Sequence, residues 1–200
     1  MRTICLSLCA ALVIATAAPF SARADPAKFT IDSDHSSVLF RVDHLGYSKV
    51  VGMFLGFGGN FVIDEADLAA SQVAFVIESG SVFTRQKKRD NHLRSPDFFN
   101  AVEFEQIRFQ STGVELRTAR AGKLTGNLTL LGVKRLVTFD VTLNRVAPHP
   151  DPRKKVIVAG FSARGTVKRS DFGMTYGAPG IGDEIEIQLE IEGESPIPGG

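Results

Sequence analysis

The stretch KLTGNLTLLGVKRLVTFDVTLN, residues 123–144, decides the fold. Leu124, Leu128 and Leu130 alternate with Lys123, Thr125, Asn127 and Thr129. Beyond Gly132, Val137, Phe139, Val141 and Leu143 alternate with Thr138, Asp140, Thr142 and Asn144. A period of two sends one set to each face of a pleated strand, so both segments read as strands with one apolar and one wet face. A connection this short makes the two strands antiparallel neighbours.

The same pattern extends in both directions. Val38, Phe40 and Val42 share one parity, as do Val73, Phe75 and Ile77. Ile157, Ala159, Phe161 and Ala163 form a further set. Ile185, Ile187, Leu189 and Ile191 alternate with acidic and polar partners. Parity breaks twice. Phe54 is even while Phe57, Phe61 and Ile63 are odd, across Gly56–Gly59; Val102 and Phe104 are even while Ile107 and Phe109 are odd. A bulge or sharp bend has this effect, and barrels use them to turn corners. About eight strands result, and their apolar faces are hidden either by closure into a barrel or by stacking as a sandwich. Helix is expected at 86–94, ending before Pro96, and as a short turn near 44–50. Residues 168–176 read as a loop or a single helical turn.

Residues 1–24 carry the marks of a cleaved secretory leader. An uncharged apolar run follows Arg2, and Ala22-Arg23-Ala24 places small residues where a signal peptidase reads. The run is too short to be a stable membrane span. Cys5 and Cys9 lie inside it, so the exported chain from Asp25 has no cysteine and rests on its core. Loss of Arg2 and Arg23 lowers Lys plus Arg from 23 to 21 against 22 acidic residues, which gives no footprint for nucleic acid. The remainder is expected to be one domain over 25–193, with 194–200 a disordered tail and no integral membrane span.

Chemistry-bearing constellations are sparse. His35, His44 and His92 stand on separate elements without metal-ligand spacing, so no metal site is expected. No Ser stands in a nucleophile-elbow context, and no catalytic residue is assigned. Gly56, Gly58 and Gly59 lack the Gly-Lys-Ser/Thr ending of a phosphate loop. Composition is more informative: 15 Phe, one of them in the leader, stand against two Tyr and no Trp. Phe supplies apolar area without a polar handle. In an eight-stranded barrel such faces either fill the interior or line a ligand channel.

Several motifs, in order along the chain, are similar to those of the YceI family. They are His35-Ser36 with Val38, Phe40 and His44; Gly52-x-Phe54; Ser81-x-x-Thr84; Arg89-Asp90-x-His92-Leu93-x-Ser95-x-Asp97-Phe98-Phe99; Gly126-x-Leu128-Thr129-Leu130-x-Gly132-Val133-Lys134; Arg169-Ser170-Asp171-Phe172-Gly173-Met174; and Gly182-Asp183. The resemblance implies an all-β fold, an eight-stranded antiparallel lipocalin-like barrel with one or two short helices. It also implies a periplasmic location, frequent homodimers, and binding of a polyisoprenoid or similar long amphiphile.

With that resemblance the expected lining is Val38, Phe40, Val42, Phe54, Phe75, Ile77, Leu128, Leu130, Phe139 and Phe161. His44 is placed at the mouth, Leu93, Phe98 and Phe99 as a plug, and Phe172 and Met174 in a second loop. Arg89 either ties the 86–99 segment to the rim or meets a ligand head group. The expected partner is an isoprenoid lipid, a quinone or polyprenyl phosphate, with no other cofactor. The rival reading is a filled-core interaction barrel with a protein partner.

Overall fold

The computed structural model describes residues 26–64 and 66–197. The leader lies outside them. Ten strands form one antiparallel sheet: β1 (Ala27–His44), β2 (Ser48–Phe54), β3 (Phe57–Ile63), β4 (Gln72–Glu78), β5 (Val82–Phe83), β6 (Gln106–Leu116), β7 (Ala121–Leu130), β8 (Val133–Pro148), β9 (Val156–Lys168) and β10 (Ile181–Pro196). One α-helix, α1 (Lys87–Arg94), sits between β5 and β6.

The ten strands make eight staves. β2 and β3 both run antiparallel to β1, β2 along its second half and β3 along its start. β4 pairs with β3 and β5 with β2, so these two also continue one another. The two interruptions lie side by side. The Glu78 amide donates to the Gly56 carbonyl at 2.8 Å, and the Leu55 amide donates to the Ser81 carbonyl at 3.2 Å. The first parity break is therefore a bend at Leu55-Gly56. Gly59 beside it has φ +141, and a Cβ there would meet the Ala74 carbonyl at 2.1 Å.

Each stave pairs with the next in sequence, and β10 returns to pair with β1 from Thr30↔Glu194 to His44↔Ile181. Closure into a barrel, rather than stacking into a sandwich, hides the apolar face and leaves no sheet edge around the ring. The decisive hairpin is tight: Leu130 pairs with Val133, and Leu131 and Gly132 both take positive φ (50 and 70). Two left-handed residues match the twist of the flanking strands.

Because the chain meanders, its connections alternate between two ends. The 45–47 turn, the 84–105 insertion with α1, the 131–132 turn and the 169–180 loop share the upper end. The segments 64–71, 117–120 and 149–155 share the lower end. Inside, four glycines are roofed by Phe rings from other staves. A Cβ on Gly52 would stand 2.2 Å from the Phe40 ring, on Gly126 2.4 Å from Phe109, on Gly193 2.5 Å from Phe61 and on Gly165 2.6 Å from Phe139. Large and small residues thus interlock across the curved wall.

Three sequence expectations are corrected. Residues 44–50 are not helical: His44 pairs with Ser48 around a three-residue turn in which Leu45 and Gly46 take positive φ. The second parity break is no bulge, because β6 starts only at Gln106 and Val102 sits in a turn at 92% exposure. The tail begins later than residue 194, since Glu194, Ser195 and Pro196 pair with Val158, Ile157 and Val156.

Candidate functional site

The interior is not filled. A cavity of about 590 Å³ opens inside the staves. Of the sequence-predicted residues, β1 contributes Val38, Phe40, Val42 and His44 to its wall, and β2 contributes Phe54. Phe75 and Ile77 come from β4, Leu128 and Leu130 from β7, Phe139 from β8 and Phe161 from β9. Arg89, Leu93, Phe98 and Phe99 reach it from the 84–105 insertion, and Met174 from the 169–180 loop. Phe172 does not reach the wall; it is 2% exposed and packs in the surrounding core.

Further wall residues went unassigned from sequence. β10 supplies Ile185, Ile187, Leu189 and Ile191, and β6 supplies Ile107 and Phe109. Their alternation was as clear as that of β7, so the signal was present. The polar groups are segregated. Asp43, His44, Gln86, Lys88, Arg89, His92 and Arg169 are the polar residues of the wall, and all belong to the upper end. The barrel body below them is apolar.

The upper end is held by side chains that bond backbone. Gln86 caps α1 by accepting from the Arg89 amide at 2.8 Å. Buried Asp90 accepts from the Thr84 amide at 2.8 Å and from its hydroxyl. Arg89 donates from Nε to Thr84 Oγ1 and from its terminal nitrogen to the Thr84 carbonyl, both at 2.7 Å. Arg89 therefore ties the helix to the end of β5 while its side chain flanks the cavity. Arg94 donates to the carbonyls of Gly80 and Val82 at 2.6 and 2.8 Å, fixing the helix to the stave break.

Arg169 anchors the other loop. Its guanidinium, 3% exposed, donates to the carbonyls of Gly182, Met174, Tyr176 and Ile181, each at 2.9 Å. Burial pushes its pKa below the ordinary arginine value, and the charge of Asp183 opposes that shift. Asp183 accepts from the Ser170 amide at 2.9 Å and hydroxyl at 2.8 Å, and these bonds hold its carboxyl below the usual range. Sequence reading placed Arg169 in a motif but gave it no role, because its carbonyl partners sit on a loop with no periodicity.

The two upper segments also touch each other. The His92, Phe98 and Tyr176 rings meet edge to face with centroids 5.0 to 5.3 Å apart. His92 Nε2 lies 2.8 Å from Asp97 Oδ2. Of the three histidines considered for a metal, His35 pairs with Asp32 at 2.7 Å, while His44 and His92 both line the upper mouth, His92 within the aromatic contact. Among the described residues no helix is long and apolar enough to cross a membrane.

A family model described as YceI-like domain matches residues 29–193. Proteins called Protein YceI from Salmonella arizonae and Salmonella enteritidis PT4 are 38% identical over 169 residues, covering 84% of this chain and 86% of theirs. Among solved structures, the Campylobacter jejuni YCEI protein is similar at TM-score 0.69 and 31% identity, over 76% of this chain and 89% of that one. Burkholderia cenocepacia BcnA shares the fold at TM-score 0.73 and 22% identity, over 81% and 98% of the two chains. A polyisoprenoid binding domain from Saccharophagus degradans shares it at TM-score 0.62 and 16% identity, over 84% and 98%.

Proposed function

The chain belongs to the YceI family, and from that premise we propose that it is a periplasmic carrier that holds one isoprenoid lipid, tail inward, in its barrel. The observation that carries this reading is the segregation of the cavity wall, apolar throughout the barrel and polar only at the upper mouth. A long amphiphile has the same division. Burying each methylene of a prenyl tail contributes about 0.8 kcal/mol, so such a ligand binds tightly with few polar contacts. A polyprenyl phosphate or an isoprenoid quinone fits this description, its head at Arg89, Lys88 and His44.

The polyisoprenoid binding domain of Saccharophagus degradans shares the fold, which is compatible with this reading. Family membership and the apolar wall support a binding role. The uncharged apolar run after Arg2, followed by Ala22-Arg23-Ala24, supports export, and homodimer formation rests on the resemblance alone.

Native mass spectrometry of protein purified from its own periplasm tests the reading. A mass adduct that organic extraction identifies as a prenyl lipid is the expected result. Repeated isolation of lipid-free protein, with no uptake of added prenyl lipid, refutes it.

A further inference from the structure

A second, smaller cavity of about 110 Å³ lies at the opposite end of the barrel. Its wall includes Leu68 and Ser71 from the β3–β4 connection, Leu116 at the end of β6, and Ala119 and Arg120 from the β6–β7 turn. These are lower-end elements, as far from α1 as the staves allow. Val73, Leu124 and Phe161 line this cavity and the main one alike. Three apolar side chains are therefore the shared wall between the two spaces. Phe161 is the largest of them and is held edge to face against Phe61 at 5.1 Å.

We infer that the lower cavity is a second binding compartment for the far end of the apolar tail, with Phe161, Leu124 and Val73 as the gate. The inference rests on the carrier reading and adds ligand length to it. Ser71 and Arg120 are the polar residues of the lower wall, and Arg120 spends a terminal nitrogen on the Asn144 carbonyl at 3.3 Å. What remains is hydrocarbon, which suits a prenyl terminus and offers nothing to a head group. A tail short enough for the main cavity leaves the gate shut. A longer one gains by passing it, since each further methylene buried raises affinity about fourfold. The protein then selects its ligand by length.

Val141 lines the lower cavity and not the upper one. Val141→Phe fills the lower space and leaves the main cavity untouched. The test titrates delipidated protein with farnesol, geranylgeraniol and hexaprenol, prenyl alcohols of increasing length, by calorimetry or by competition with a fluorescent probe. In the wild type, affinity should climb through hexaprenol. In Val141→Phe, farnesol should bind within about twofold of wild type and hexaprenol at least about tenfold more weakly, two buried methylenes at fourfold each being enough. Phe161→Leu provides an independent arm by widening the gate, and should strengthen hexaprenol relative to farnesol. Equal effects of Val141→Phe on all three alcohols, or none on any, overturn the second compartment while leaving the carrier reading intact. Failure of the wild type to bind any alcohol overturns both.

Discussion

Leu128→Trp tests whether the interior is open where a tail would lie. Leu128 is buried in β7, pairs across the sheet with Phe109, and faces the 590 Å³ cavity. The chain has no other tryptophan, so the indole reports alone. In a solidly packed barrel the larger ring forces its neighbours off their rotamers at a cost of about 1–3 kcal/mol. With the cavity beside it, the ring turns inward and the delipidated variant should lose less than about 1 kcal/mol, a shift of no more than ~2–4 °C for a domain of this size. The ring then occupies ligand space. Displacing the equivalent of two methylenes costs roughly 1.6 kcal/mol, about fifteenfold in affinity. Both proteins must be stripped of lipid first, because bound ligand itself raises apparent stability. The assay is chemical unfolding in parallel with a fluorescence titration with geranylgeraniol. A variant destabilised by 1–3 kcal/mol, whose emission ignores added lipid, refutes an open channel at this position.

Arg169→Met should cost about 3 kcal/mol or more in urea unfolding, because bonds from a charged donor contribute ~1.5–3 kcal/mol each without adding fully; Arg169→Lys should recover little, as an ammonium lacks the fork that reaches four carbonyls. Gly52→Ala should destabilise strongly alone and much less in Phe40→Leu, with a double-mutant coupling of about 1 kcal/mol or more, since the added Cβ would stand 2.2 Å from the Phe40 ring. The His35–Asp32 pair sets a small pH dependence. The bond to Asp32 raises the His35 pKa above 6.5, so its contribution is complete below that value and lost as pH rises through the folded value. The bond to His35 lowers the Asp32 pKa below 3.8, so that contribution is present above 3.8 and lost as pH falls through the folded value. Thermal melts of His35→Gln beside wild type should differ most between pH 3.8 and 6.5, where Asp32 is ionised and His35 protonated, and converge at alkaline pH and in strong acid; a constant offset would show that the imidazole charge is not involved.

Strand positions were legible because the two faces of each stave meet different solvents. Leu124 to Leu130 and Ile185 to Ile191 had to alternate if one side faced a cavity and the other water. The bend at Leu55-Gly56 was legible for the same reason: a parity shift has no other cheap origin beside three glycines. Val102 and Phe104 misled because parity assumes a strand, and there the chain is still turning after α1. Arg169 was opaque because its burial depends on carbonyls that a loop gathers around it. The choice between barrel and sandwich was equally hidden from pattern, since it turns on a pairing between residues about 160 apart, such as Thr30 and Glu194.

That closing seam between β1 and β10 also fixes an order of events. Every other stave joins the one made just before it. β1 must wait for β10, since Thr30 pairs with Glu194 and His44 with Ile181. Bringing such distant segments together carries the largest loop-closure cost in the molecule and favours a late step. Until then the sheet is an open, apolar, curling ribbon with two bare edges. The interior can be sealed only once the stretch Ile181–Glu194 has reached β1, so a cargo is enclosed at that step, and a change that breaks this ladder opens the vessel rather than trimming it.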